Sequence, residues 1–310
     1  MVEEALPCGL GAKVHFEDES IFEGLAMIPA SFPALLALVS LMALLAYGRA
    51  ATVPESAPGG LRMYLLTGWL LHAVAILIDT SGIGTGIVGA RFGFAPALSV
   101  TLWLVITVYV VESRFLPIRG VRRTLALLGA FAVVLALSFP GQLRPHAGSP
   151  WAPIHWVLGI ASYGLFGAAV LHAAMMNRAD RQMRQNLQPG RLAIAEGPDA
   201  PPAGGPPMGL PLMRLERLTF RFVSAGFVVL SLAIFLGWLF ANPWRWDHKV
   251  VFSVSGWLVY AGLLAGRKRF GWRGPQATRW VYVGAALLLL AYVGSHFVAE
   301  VLLNRPPEVP

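Results

Sequence analysis

Eight apolar runs, separated mostly by short polar or charged segments, divide this chain. They cover roughly 27–47, 61–78, 96–112, 124–139, 153–176, 219–241, 250–266 and 280–303. Each approaches the ~20 residues that carry a helix across the hydrocarbon core of a bilayer. The pattern predicts an all-α polytopic membrane bundle of about eight transmembrane helices over 27–303. The fourth and seventh runs are short, so their ends are the least defined.

The connecting segments give the orientation, because cytoplasmic loops are enriched in Lys and Arg. With the N-terminus outside, only Lys13, Arg91, Arg144, Arg245, Lys249 and Arg305 fall on the outer face, and the other 18 of the 24 basic residues fall inside. An even number of spans then puts both termini outside. The connectors are short except for 177–218, which this count makes a cytoplasmic loop. Its centre, Gly197-Pro-Asp-Ala-Pro-Pro-Ala-Gly-Gly-Pro-Pro207, reads as a flexible tether. Arg178, Arg181 and Arg184 extend the fifth span as a basic helix, and Leu210–Arg221 leads into the sixth.

Composition supports this reading. The chain has 310 residues, 56% hydrophobic and only 13% charged, with a mean hydropathy of +0.63; soluble domains carry about a quarter charged residues. The net charge of +8 is therefore a topology signal, and no nucleic-acid partner is expected. One cysteine, Cys8, excludes an intramolecular disulfide and any CxxC haem-attachment motif in this chain. Residues 1–26 carry six acids against Lys13 alone, so they lack the basic start of a secretory signal and read as an acidic outer tail. Met27, directly before the first run, makes a later start an alternative reading. Residues 304–310 form a short C-terminal tail.

Small residues at helix-packing spacing, Gly164 with Ala168 and Gly262 with Gly266, argue for close backbone approach. Gly84-Thr-Gly86-Ile-Val-Gly89 matches the dinucleotide fingerprint by letter, but that motif works only between a strand and a helix that faces a pyrophosphate. Here it falls in an outer loop and reads as a turn. No Ser/His/Asp or Cys/His order and no acid pair suggests hydrolytic chemistry, so the chain is not expected to be an enzyme by itself.

Polar groups within a bilayer are expensive and mark function. Of seven histidines, His72 lies in the second run, His155 opens the fifth, His248 is in the loop before the seventh, and His296 lies in the eighth. At 1.5 Å per residue His296 is about 10 Å from the end of its run. These four imidazoles gather on the outer half, whereas His172 is near the inner end of the fifth run and reads as a packing residue. A haem iron takes two axial imidazoles, each usually oriented by a second hydrogen bond. Ser162, Tyr163, Tyr260 and Ser295 are candidates to supply that bond. A zinc or copper site would favour carboxylate or thiolate company and closer ligand spacing, and within the spans neither appears. Asp79, Asp247 and Glu300 are the outer acids near these helices.

The loop Asn242-Pro-Trp-Arg-Trp-Asp-His-Lys249 combines Trp244, Trp246, Arg245, Asp247, His248 and Lys249. Two tryptophans alone suit an interfacial belt. With these charges beside them, the indoles could sandwich a porphyrin while the cations meet its propionates.

Several stretches together resemble a known family. They are Leu71-His72-Ala-Val-Ala-Ile-Leu77, Phe94-Ala-Pro-Ala-Leu-Ser99, His155-Trp-Val-Leu-Gly-Ile-Ala-Ser-Tyr163, Leu210-Pro-Leu-Met-Arg-Leu-Glu-Arg217, Gly256-Trp-Leu-Val-Tyr260 with Gly271-Trp-Arg-Gly274, and Leu289-Leu-Ala-Tyr-Val-Gly-Ser295. The chain is similar over roughly 60–303 to the cytochrome c assembly membrane proteins that handle haem, the CcsA/CcmC group, and within it to the small YpjD-type branch. The resemblance implies haem binding in a helical bundle with an outer tryptophan segment flanked by external histidines. On it, His155 matches the external histidine before that segment, His72 the early intramembrane histidine, and Trp244, Trp246 and Asp247 the segment's end. The longer form of the segment, Trp-Gly-x-x-Trp-x-Trp-Asp, is cut short here. The second external histidine, expected beyond His296, is replaced by Glu300-Val-Leu-Leu-Asn-Arg305.

The leading expectation is a bacterial inner-membrane protein that binds haem b near its outer face and supports haem delivery or cytochrome c assembly. Its partners would be haem, apocytochrome, other assembly proteins and membrane lipid. His72 and His155 are the expected iron ligands and His296 the substitute, with Trp244, Trp246, Arg245, Asp247 and His248 around the ring. Two rival readings remain. One is a b-haem redox subunit that oxidises quinol, which needs stacked histidine pairs; the other is a haem-free scaffold.

Overall fold

A computed structural model describes residues 32–54, 58–81, 89–115, 121–140, 142–145, 152–186, 212–240, 246–294 and 297–298. Eight α-helices lie among them: α1 (Phe32–Thr52), α2 (Pro58–Thr80), α3 (Phe94–Glu112), α4 (Arg122–Ser138), α5 (Ala152–Asn186), α6 (Leu212–Phe240), α7 (His248–Phe270) and α8 (Gly274–Leu289). A π-helical turn, Leu290–Gly294, continues α8. The tails 1–26 and 304–310, and 187–211 of the long loop, lie outside the described residues.

Seven helices are long and apolar enough to cross a membrane. The exception is α4, whose 17 residues reach about 26 Å at 1.5 Å per residue, short of a ~30 Å core. The seventh run proves longer than its apolar residues suggest, because its ends are fixed by polar chemistry. Asp247 caps α7 by accepting from the Val250 backbone N–H at 2.8 Å. Gly271, in the left-handed region at φ 65°, closes the other end by bonding back to Arg267. The basic extension predicted after the fifth span is helical through Asn186.

Apolar side chains such as Leu38, Leu45, Leu77, Leu232 and Trp238 are exposed on the outside of the bundle, as lipid contact requires. Two cores lie within. One joins α1–α4 around Tyr47, Ile106, Tyr109 and Leu125, and the other joins α5–α8 around Phe166, Tyr260, Leu263 and Leu288. The central helix is α5, packed along α6 and against α3 and α8. Gly164 serves this packing: a Cβ there would lie 2.7 Å from Leu104. Gly266 instead makes room for Trp272, and Gly262 faces open space, so the expected seam at 262 and 266 is not a helix–helix contact.

Two short strands add to the helices. Gly89–Phe92 pairs antiparallel with Gln142–Pro145 and joins the α2–α3 and α4–α5 connections at one end of the bundle. Gly89 thus starts a strand where a dinucleotide fingerprint would already be in its helix. At the same end Phe94 packs on Phe139 and Phe297 with ring centroids 5.2 and 5.4 Å apart. The basic ends of α5, α6 and α7 point the other way.

Candidate functional site

His155 sits in the first turn of α5 with its ring against α6. Its Nδ1 lies 2.9 Å from the Ala233 carbonyl, which can only accept, so Nδ1 carries the hydrogen and Nε2 of the neutral ring presents a lone pair. One turn along α6, Gly237 leaves room for the imidazole: a Cβ there would be 3.0 Å from its Cε1. The ring is half-buried. Lys249 Nζ lies 5.4 Å from the Tyr292 ring centroid. Tyr292 in turn meets Tyr163 of α5 at 6.3 Å. Tyr292 of the π-helical turn thus links the start of α7, through Lys249, to Tyr163 of α5, two turns beyond His155.

His72 is built differently. It is buried among α1, α2 and α3, with Nδ1 3.2 Å from the Tyr47 hydroxyl and Nε2 2.8 Å from the Ser99 hydroxyl. Tyr47 reaches it because α2 and α4 lack side chains where its ring lies: a Cβ on Gly68 or Gly129 would come within 2.7 or 2.6 Å of that ring. The pocket beside His72, which Ser40, Asp79 and Thr80 also line, has a free volume of about 20 Å³, room for about one water. No porphyrin fits there in this packing.

The remaining expected residues separate. Asp247 is engaged as the cap of α7, while Trp246 and His248 are exposed beside it. Trp244, Arg245 and His296 lie outside the described residues. The hydroxyls expected to orient the histidines do other work: Ser162 bonds Gly159 on its own helix, Tyr163 the Leu288 carbonyl and Tyr260 the Val281 carbonyl; Ser295 and Glu300 are outside the described residues. Tyr47, Ser99 and Gly237 carried no signal in the sequence, because each acts through a neighbour remote along the chain. Lys249 was visible only as one charge among several.

His172, 17 residues beyond His155 on α5, is fully engaged with Ala168 and Glu112. It offers no open nitrogen to a second metal centre. Among the described residues no three His, Cys, Asp or Glu side chains gather as a metal-ion site.

A profile described as cytochrome C assembly protein matches residues 60–303. The chain belongs to this family. The inner membrane protein YpjD of Escherichia coli (strain K12) is 30% identical over 185 residues, covering 57% of this chain and 65% of that protein. Cytochrome c biogenesis protein CcsA of Gloeobacter violaceus is 26% identical over 245 residues, covering 64% of this chain and 72% of its own length. CcsA of Synechococcus sp. (strain JA-3-3Ab) matches at 30% over 114 residues, a third of each chain. The match with YpjD thus spans slightly less than two thirds of that relative. No solved structure matches the chain. Among its described residues this family member has seven helices long and apolar enough to cross a membrane, and it is similar to YpjD.

Proposed function

We propose that this protein holds haem b at the end of the bundle that carries His155, and passes it on during cytochrome c assembly. The distribution of Lys and Arg supports placing that end, and both termini, outside the cell membrane. Haem brings four equatorial nitrogens with its iron, so it needs only axial protein ligands. Isolated imidazoles suit it where a bare ion would need a cluster.

The observation that carries this reading is the single bond from His155 Nδ1 to the Ala233 carbonyl. That is how a metal-binding histidine is oriented, with its other nitrogen available and its ring accessible. His72, the other ligand expected from the sequence, is engaged by Tyr47 and Ser99 with room for about one water beside it, and takes no part in this reading. As a holder, the chain is not an enzyme alone; attaching haem to an apocytochrome would require partner assembly proteins.

The test is the reduced-minus-oxidised spectrum of the purified protein in detergent, supplemented with haem. A Soret and alpha band is expected, abolished or shifted by His155→Ala. Absence of both bands after supplementation would exclude haem binding, and an unaltered spectrum in His155→Ala would exclude His155 as ligand.

A further inference from the structure

We infer that the α7–α8 turn, at the basic end of the bundle, binds an anionic phospholipid whose phosphate meets cations set around an exposed aromatic ledge. The turn is tightly built. Gly271 and Gly274, at φ 65° and 59°, take the left-handed region and reverse the chain between the two helices. Between them Trp272 folds back onto Gly266 of α7, where a Cβ would come within 2.5 Å of the indole. The same ring stacks on Trp280 of α8, with centroids 6.3 Å and planes 10° apart, and on Phe270 at 6.3 Å. α7, the turn and α8 thus share one layer of rings. Its rims are open, since Phe270 is 75% and Trp280 40% exposed. Val283, three residues beyond Trp280 on the same side of α8, is also exposed, so the ledge continues into the lipid-facing surface.

The charge around this ledge is one-sided. Arg267, Lys268 and Arg269 fill the last turn of α7, Arg273 follows Trp272, and Arg279 precedes Trp280. Glu216 of α6 is the acid that meets them: it bonds Arg267 at 3.1 Å and lies 3.9 Å from Arg273. Lys268, Arg269 and Arg279 are exposed and form no ion pair among the described residues. The dipole of α7 accounts for cations in its last turn, but Arg273 stands at the start of α8, where the dipole disfavours a cation and favours an anion. An anion at this place would relieve the excess. Both helices are long and apolar enough to cross a membrane, and exposed indoles mark the depth of the headgroups. The anion at that depth is a lipid phosphate, and basic pockets at the ends of spanning helices hold such groups.

The experiment follows thermal unfolding of the full-length protein in detergent during titration with phosphatidylglycerol, phosphatidylcholine or glycerol 3-phosphate. Phosphatidylglycerol should raise the midpoint saturably and at lower concentration than phosphatidylcholine, and glycerol 3-phosphate should leave it unchanged. Arg269→Gln/Arg279→Gln should raise the half-saturating concentration of phosphatidylglycerol about tenfold. Arg181→Gln/Arg184→Gln, which removes the same charge from the basic extension of α5, should change it less than about twofold. The midpoints without lipid show whether each variant is folded. Equal responses to the two lipids, no response to either, or equal losses in the two variants would overturn the site. Stabilisation by glycerol 3-phosphate alone would overturn the lipid as its occupant and identify a soluble phosphate instead.

Discussion

His172 of α5 and Glu112 of α3 meet inside the bundle, with Nε2 2.8 Å from Oε2. The other ring nitrogen faces the Ala168 carbonyl at 2.8 Å. That oxygen only accepts, so Nδ1 must hold a hydrogen, and the contact with Glu112 holds one proton between the two groups. Imidazolium with carboxylate, or imidazole with carboxylic acid, leaves the pair neutral overall. Phe222 of α6 stacks on the imidazole with centroids 5.2 Å apart, so one polar contact ties three helices.

Removing one partner should therefore cost more than removing both. His172→Ala or Glu112→Ala alone strands the other group, at about 3 kcal/mol, the low end for a buried pair because the Glu112 side chain is 14% exposed. The double variant Glu112→Leu/His172→Phe should lose less than the sum of the single variants. Thermal unfolding in detergent reads this, and strictly additive losses would show that the pair is not a unit.

Glycine substitutions should divide by what they meet. Gly129→Ala and Gly68→Ala drive a methyl into the Tyr47 ring and should destabilise by about 1–3 kcal/mol. Gly262→Ala meets nothing within 4 Å and should be neutral or slightly stabilising. A Gly129→Ala protein as stable as Gly262→Ala would contradict the described seat of Tyr47.

Asp247 should behave as a helix cap. Asp247→Ala should cost about 1 kcal/mol, and Asp247→Asn or Asp247→Ser should restore most of it. If Asp247→Asn lowers haem affinity while stability is kept, the carboxylate has a role beyond capping.

Gly237 should act only through His155. Gly237→Ala places a methyl 3.0 Å from the imidazole Cε1, which should shift the Soret maximum or weaken haem binding with little change in the unfolding midpoint. An unaltered spectrum would mean that the ring position does not matter to the ligand.

Much of the architecture was legible before any coordinates, and the reason is the solvent. A bilayer forces backbone polar groups into helices and side chains into long apolar runs, so Leu-rich stretches separated by arginines fix the number, order and approximate extent of the spans. Helix ends depended on local chemistry such as Asp247 and Gly271, which single residues can also signal.

The site was only half legible. His155 stood out as a polar group in an apolar segment, but His72 looked equivalent and is not: it is held by Tyr47 and Ser99, 25 and 27 residues away in sequence. What the sequence by itself determined is membrane insertion, the charge bias between the two ends and the family. Which histidine has an open nitrogen was decided only when α5 packed on α6 and when Tyr47 of α1 and Ser99 of α3 closed on His72. A lone pair is free or spent according to contacts between helices, and helical periodicity does not encode them.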